Sequence, residues 1–120
     1  MESSNQIADD QTFYISITGL RIRRFWHRPI FARHAMASMA QAKQAPGCIS
    51  ADARSIDGVH HTLSVWSSKA DMLKFIHSDA HARASKIFRK IATGKTFGYP
   101  ANEPPGWSEV HTIWKERGRD

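Results

Sequence analysis

The chain has 120 residues, and 17 Lys and Arg against 11 Asp and Glu give it a net charge of +6 at pH 7. This length suits one domain, and a hydrophobic fraction of 41% with four Trp and six Phe is enough for a core. The single cysteine, Cys48, excludes an internal disulfide, and no apolar run approaches the ~20 residues that span a bilayer.

The first eleven residues, MESSNQIADDQ, are polar and acidic. They predict a disordered tail before a single domain over residues 12–120, and they show no signal peptide. We therefore expect a cytoplasmic protein with no membrane partner.

Residues 13–22 predict the first strand, because β-branched and aromatic residues alternate along them. A basic segment follows, with Arg21, Arg23, Arg24, Arg28 and Arg33 around Phe25, Trp26 and His27. Such a segment is typical of a solvated loop, of an anchor for an anionic ligand, or of a surface that stacks single-stranded nucleic acid. No RNP or GXXG motif supports the last option, so we do not expect a nucleic-acid partner.

The remaining elements are predicted from hydrophobic periodicity and from residues that start or end helices and strands. A helix over about 30–45 begins after Pro29 and ends at Pro46-Gly47. Strands 48–56 and 59–66 form a hairpin through the Asp57-Gly58 turn. His60 and His61 follow that turn on opposite faces of the strand, and we expect both to be exposed. Serine caps predict helices over about 69–77 and 79–92. A short strand is predicted at 95–99. The tail at 107–117 is predicted to be a helix, with a strand as the alternative.

The order β-α-β-β-α(α)-β predicts an α+β, ferredoxin-like split β-α-β-β-α-β sheet with an extra C-terminal helix. Helices are expected to cover one face of the sheet. The other face, carrying Trp66, Tyr14 or its strand neighbours, and Phe97 or Tyr99, is expected to be partly exposed. Aromatic residues on both faces favour a homodimer with the sheets face to face.

Three segments carry a family resemblance: Pro46-Gly47, Val65-Trp66-Ser67-Ser68 and Ser78-Asp79-Ala80-His81. They resemble the antibiotic-biosynthesis monooxygenase-like superfamily, the dimeric α+β barrels, over roughly residues 12–100. The tail from Pro104 to Gly118 departs from the short members of that superfamily. A weaker local similarity, in the string at 81–84, is to spheroidene monooxygenase-type proteins, which act on carotenoids.

The resemblance implies two further chemistries: cofactor-free oxygenation of polycyclic phenols, and haem degradation. Haem-degrading members carry a tryptophan nine positions after the strand-end tryptophan and a haem-ligating histidine ten further on. Phe75 and Ser85 stand at those positions, so we expect no cofactor. His81 lies one turn before Ser85, which leaves a shifted haem ligand open.

His81 is the predicted catalytic residue. A neutral imidazole in the first turn of a helix has a depressed pKa, which suits a general base that takes a phenol proton before reaction with dioxygen. A local cap or hydrogen bond is the alternative role. His77 lies four residues earlier, but a helix break between the two spoils metal geometry, so no metal is expected.

A cavity between the sheet and the helices would suit a flat apolar ligand. The predicted substrate-binding residues are Trp66, Met36, Met39, Phe75 and Phe88 as walls, Tyr14 as a hydrogen-bond donor and Trp26 as a lid. Simple core packing is the alternative for the wall residues.

The sequence thus favours a small cofactor-independent monooxygenase-like enzyme acting on a hydrophobic or aromatic small molecule. The alternative is a non-catalytic ligand-binding or stress-related protein of the same fold. A haem-binding protein and a nucleic-acid binder are less favoured.

Overall fold

The computed structural model describes residues 12–119; the predicted disordered tail at 1–11 lies outside them. The elements in chain order are β1 (Phe13–Ile22), a 3₁₀ turn (Phe25–His27), α1 (Arg28–Gln44), β2 (Cys48–Ile56), β3 (Val59–Trp66), α2 (Lys69–Ile76), α3 (Asp79–Ile91), β4 (Ala92–Ala101) and α4 (Trp107–Arg117). This is the predicted α+β, ferredoxin-like arrangement with an extra C-terminal helix.

The four strands form one antiparallel sheet in the order β2-β3-β1-β4. The β2–β3 hairpin turns at Asp57 and Gly58, whose φ angles of 51° and 78° are the left-handed pair of a type I′ turn. β4 is longer than the predicted 95–99, because it pairs with the whole of β1, from Phe13↔Ala101 to Ile22↔Ala92.

α1, α2 and α3 lie on one face of the sheet. Ser68 and Ser78 cap α2 and α3, since each side-chain oxygen accepts a hydrogen bond from a backbone N–H three residues on. α1 and α3 meet through Phe31 and Ile91, which pack together with Leu20 and Ile22 of β1. Within residues 12–119, none of the helices has the length and apolar character needed to cross a membrane.

α4 covers the opposite face. Ile15 and Ile17 of β1 alternate with Tyr14, Ser16 and Thr18, and both isoleucines are fully buried. Val110 and Trp114 of α4 pack on them, in a cluster that also contains Val59, Leu63 and Val65. The tail segment is therefore a structural part of the sheet's second layer.

This arrangement corrects the predicted exposed face. Tyr14 and Trp66 are paired on neighbouring strands and lie on the face that α1, α2 and α3 cover. Phe97 and Tyr99 lie on the α4 face, where their rings stack at 5.3 Å. The alternation along β1 puts the large aliphatic side chains on the α4 face, and α4 buries them. The homodimer stays a prediction, but it no longer rests on an uncovered sheet face.

Candidate functional site

A cavity of about 490 Å³ lies between the sheet and helices α1, α2 and α3. Its floor consists of side chains from β1, β2 and β3, and its walls are mostly apolar. The wall residues are Phe31, Ala32, Ala35, Met36, Met39 and Ala42 of α1, Met72, Phe75 and Ile76 of α2, and Phe88 of α3. The volume and lining are those of a site for one small molecule.

A strip of hydroxyl groups runs along the middle of the floor. Antiparallel pairing sets Ser16 opposite Ser64 and Thr18 opposite Thr62. The Ser64 hydroxyl accepts a hydrogen bond from Trp66 Nε1 at 2.8 Å. The Ser16 and Thr62 hydroxyls make no hydrogen bond within residues 12–119, so they are free to bind oxygen atoms of a ligand.

The α2 end of the cavity is aromatic. Trp66 ends β3, is 1% exposed and lies with its ring centroid 5.5 Å from that of Phe75. Phe75 in turn contacts His81, with ring centroids 5.1 Å apart and nearly perpendicular planes. His81 is thus separated from the cavity by the Phe75 ring.

The opposite end of the cavity contains His60, paired across the sheet with Leu20. The Nδ1 atom of His60 lies 2.7 Å from the Ser55 hydroxyl, and its ring is 4.9 Å from that of Phe31. Burial, and then the charge of Arg28, lower the pKa of His60. The imidazole is therefore neutral at pH 7, and its Nε2 makes no hydrogen bond within residues 12–119.

The charge on the cavity is positive. Four ionisable residues border it, Arg28, Arg54, His60 and His61, and its lining contains no Asp or Glu. Arg54 directs its guanidinium towards α4, 5.1 Å from the Trp107 ring, and His61 also faces α4. Arg28 and His60 are therefore the ionisable side chains available to a ligand.

The structure brings together five of the predicted substrate-binding residues: Trp66, Met36, Met39, Phe75 and Phe88 all line the cavity. Met36 is 73% exposed, which places it at the rim. Tyr14 and Trp26 do not line it. Trp26 is 58% exposed and packs against its sequence neighbours and Arg24.

The predicted catalytic residue, His81, does not line the cavity either. Its backbone N–H donates to the Ser78 cap, and its Nδ1 lies 3.3 Å from the Ser85 hydroxyl. Burial lowers the pKa of His81, and a hydrogen bond to the Ile76 backbone offsets this only in part. His81 is a neutral imidazole that contacts the site through Phe75, and its catalytic role stays a prediction.

Sequence reasoning missed His60, and it named Arg28 only as one member of the basic segment that could anchor an anionic ligand. The expectation that His60 and His61 are both exposed was wrong, because His61 is 1% exposed and His60 is half-buried. The signal was present: His60 lies on the same strand face as Thr62, Ser64 and Trp66, which points it to the cavity.

Metal ligation finds no support in the arrangement of the described residues. Within 12–119, no three His, Cys, Asp or Glu residues lie close enough together to hold a metal ion. Cys48 is half-buried, and burial raises the pKa of its thiol more than a hydrogen bond to the Ser50 carbonyl lowers it.

Comparison with known proteins identifies the fold. No family model and no curated protein matches the sequence. Among solved structures, SnoaB, a cofactor-independent oxygenase from Streptomyces nogalater, matches with a TM-score of 0.64 at 12% identity, over 76% of this chain and 94% of its own.

Two further solved structures agree. A candidate antibiotic biosynthesis monooxygenase from Deinococcus radiodurans matches with a TM-score of 0.69 at 16% identity, over 78% of this chain and 96% of its own. Another, from Caulobacter crescentus CB15, matches with a TM-score of 0.65 at 17% identity, over 80% of this chain and 93% of its own. The chain therefore has the fold of the antibiotic-biosynthesis monooxygenase-like superfamily, as the sequence motifs predicted.

Proposed function

We propose that the chain is a small monooxygenase-like enzyme that oxidises a hydrophobic or aromatic small molecule without a metal or flavin. The observation that carries this proposal is an apolar cavity of about 490 Å³ with a neutral imidazole, His60, at one end. The fold is shared with SnoaB, which is described as a cofactor-independent oxygenase, and that likeness supports the same class of reaction.

The proposed substrate lies along the floor of the cavity. Phe75, Met39 and Phe88 pack against its apolar surface, while the free hydroxyls of Ser16 and Thr62 bind its oxygen atoms. Aromatic and methionine side chains favour a flat ring system, because they give large contact area in a site of low polarity. The apolar lining also strengthens the electrostatic contacts on which proton removal depends.

His60 is the proposed general base. If its Nδ1–H donates to the Ser55 hydroxyl, the lone pair of Nε2 is left to take a proton from the substrate. A lowered pKa keeps this nitrogen unprotonated at neutral pH, and the charge of Arg28 stabilises the anion that proton removal creates.

The reaction balances with dioxygen as the oxidant. His60 removes one proton from an activated CH₂ group, and the carbanion, delocalised as a phenolate, forms a C–O bond with dioxygen. The resulting peroxide takes back that proton, then loses the second C–H proton as its O–O bond breaks, which leaves a carbonyl and releases water. The substrate supplies all four electrons, so CH₂ and O₂ become C=O and H₂O.

His81 is the second candidate for the base, because its pKa is lowered and its ring contacts Phe75, which lines the cavity. For His81 to reach a substrate, the Phe75 ring must turn aside. The variants His60→Ala and His81→Ala therefore distinguish the two candidates.

Oxygen uptake with anthrone, a polycyclic compound with an activated CH₂ group, tests the proposal. We expect the wild type to consume oxygen above the uncatalysed rate, and His60→Ala to lose about a hundredfold of that activity. His77→Ala is the matched control, because His77 is exposed and outside the cavity. Ligand binding without oxygen uptake by the wild type would overturn the enzyme proposal in favour of a non-catalytic binding protein.

A further inference from the structure

The cavity is elongated along β3. It follows β3 from His60 to Trp66, six residues apart, and at about 3.3 Å per residue this is a length of about 20 Å. A ligand that reaches both ends of the cavity is therefore an elongated one.

One end of the cavity favours an anion. Arg28 opens α1, and the first turn of this 17-residue helix contains no acidic side chain. The positive end of the helix dipole therefore adds to the guanidinium charge, and no carboxylate in the lining opposes it. His60 lies beside Arg28, and its neutral imidazole adds no negative charge at this end.

The other end favours a hydrocarbon. Trp66, Met72, Phe75 and Ile76 line it, and no charged residue does. The indole N–H of Trp66 is already bonded to Ser64, so this end presents only apolar surface. An ion placed there would lose its hydration without gaining a partner.

We propose that the cavity takes an extended amphipathic carboxylate, with its carboxylate at Arg28 and its apolar tail against Trp66 and Phe75. This inference rests on the proposed function, because it names the substrate class of the same site. A carboxylate paired with a guanidinium forms a charge-assisted hydrogen bond, which fixes one orientation of the ligand in the cavity. The free hydroxyls of Ser16 and Thr62 then lie beside the middle of the bound chain.

Fluorescence titration with cis-parinaric acid, a linear polyene carboxylate, tests the proposal against its methyl ester, which has the same tail and no charge. We expect the acid to bind the wild type at least about fivefold more tightly than the ester. Arg28→Gln should remove that preference and leave ester binding unchanged. Arg33→Gln is the matched control, because Arg33 is exposed and does not line the cavity, and it should keep the preference.

Equal binding of acid and ester, no binding of either, or a preference that survives Arg28→Gln would each overturn the carboxylate assignment. This readout does not depend on turnover. If the acid binds in a way that needs Arg28 but no oxygen is consumed, the oxygenase proposal is wrong and the carboxylate proposal stands. If the protein consumes oxygen with anthrone but shows no preference for the acid, the carboxylate proposal is wrong and the oxygenase proposal stands.

Discussion

His61 Nε2 and His111 Nδ1 lie 2.8 Å apart and join β3 to α4 on the face opposite the cavity. His61 Nδ1 lies 3.3 Å from the Thr18 carbonyl, which can only accept, so this nitrogen carries the proton. His61 Nε2 is then the acceptor, and His111 must donate from Nδ1. His111 Nε2 lies 3.6 Å from the exposed Asp57 carboxylate.

This pairing predicts that the protein loses stability in mild acid. Burial lowers the pKa of His61, the Thr18 hydrogen bond opposes this, and the nearby His111, Arg21 and His60 lower it further. The folded state therefore binds a proton less readily than the unfolded chain, whose histidines titrate near about 6.5. Stability is full above that pH and is lost as the pH falls below it towards the lowered pKa of His61.

Urea unfolding between pH 7.5 and pH 5 measures this loss. His61→Gln should be less stable than the wild type at pH 7.5 and should show a flatter dependence on pH, because it lacks the buried imidazole. His77→Gln is the control, since His77 is exposed, and should keep the wild-type slope. The lowered pKa values of His60 and His81 also make stability fall in acid, so His61→Gln should flatten the pH dependence without abolishing it. Identical pH dependence in wild type and His61→Gln would contradict the role of His61.

Trp114 is predicted to hold α4 on the sheet. Its ring lies against Gly19, where a Cβ would come within 2.4 Å of the indole, and its Nε1 donates to the Lys95 carbonyl at 2.8 Å. Trp114→Ala should cost about 3–5 kcal/mol of unfolding free energy by leaving a cavity and an unpaired carbonyl. Chemical denaturation measures this, and a cost below about 1 kcal/mol would show that α4 is not held through Trp114.

Light scattering of the wild type tests the predicted homodimer, and the same variant tests whether the sheet face under α4 can self-associate. If α4 leaves the sheet, the buried face containing Ile15, Ile17 and Leu63 becomes exposed and is large enough to self-associate. Light scattering should then show Trp114→Ala at a higher association state than the wild type, with the exposed-surface variant Lys115→Ala as the control. An unchanged mass of the variant would show that exposing this face does not cause self-association.

Local pattern was enough to predict most of the fold. Periodicity, the serine caps and the Asp57-Gly58 turn located every strand and helix, because each signal acts over a few residues and the tertiary structure agrees with it. β4 was underestimated, since Gly94 and Gly98 weaken its strand propensity and only pairing with β1 reveals its full length.

The site was harder to predict, because it depends on which face of the sheet each helix covers. Alternation showed that Trp66 and Leu63 lie on opposite faces, but not which of them meets α1. The tail helix α4 buries the aliphatic face, so α1, α2 and α3 cover the other one. This packing joins segments far apart in the chain, and the spacing of residues within a segment does not predict it. Five wall residues were found through their aromatic and methionine character, whereas His60 was overlooked because it follows a turn.

The pH dependence of oxygen uptake should identify the base. With anthrone as a neutral probe, kcat/KM should be constant at neutral pH and fall in acid as His60 is protonated, at a pH below the ordinary value of about 6.5. Arg28→Gln removes a positive charge that lowers the pKa of His60, so the acid limb should move to higher pH. Arg33→Gln, the control, should leave the limb in place. If the acid limb of the kcat/KM profile does not move in Arg28→Gln and is absent in His81→Ala, the base is His81 and not His60.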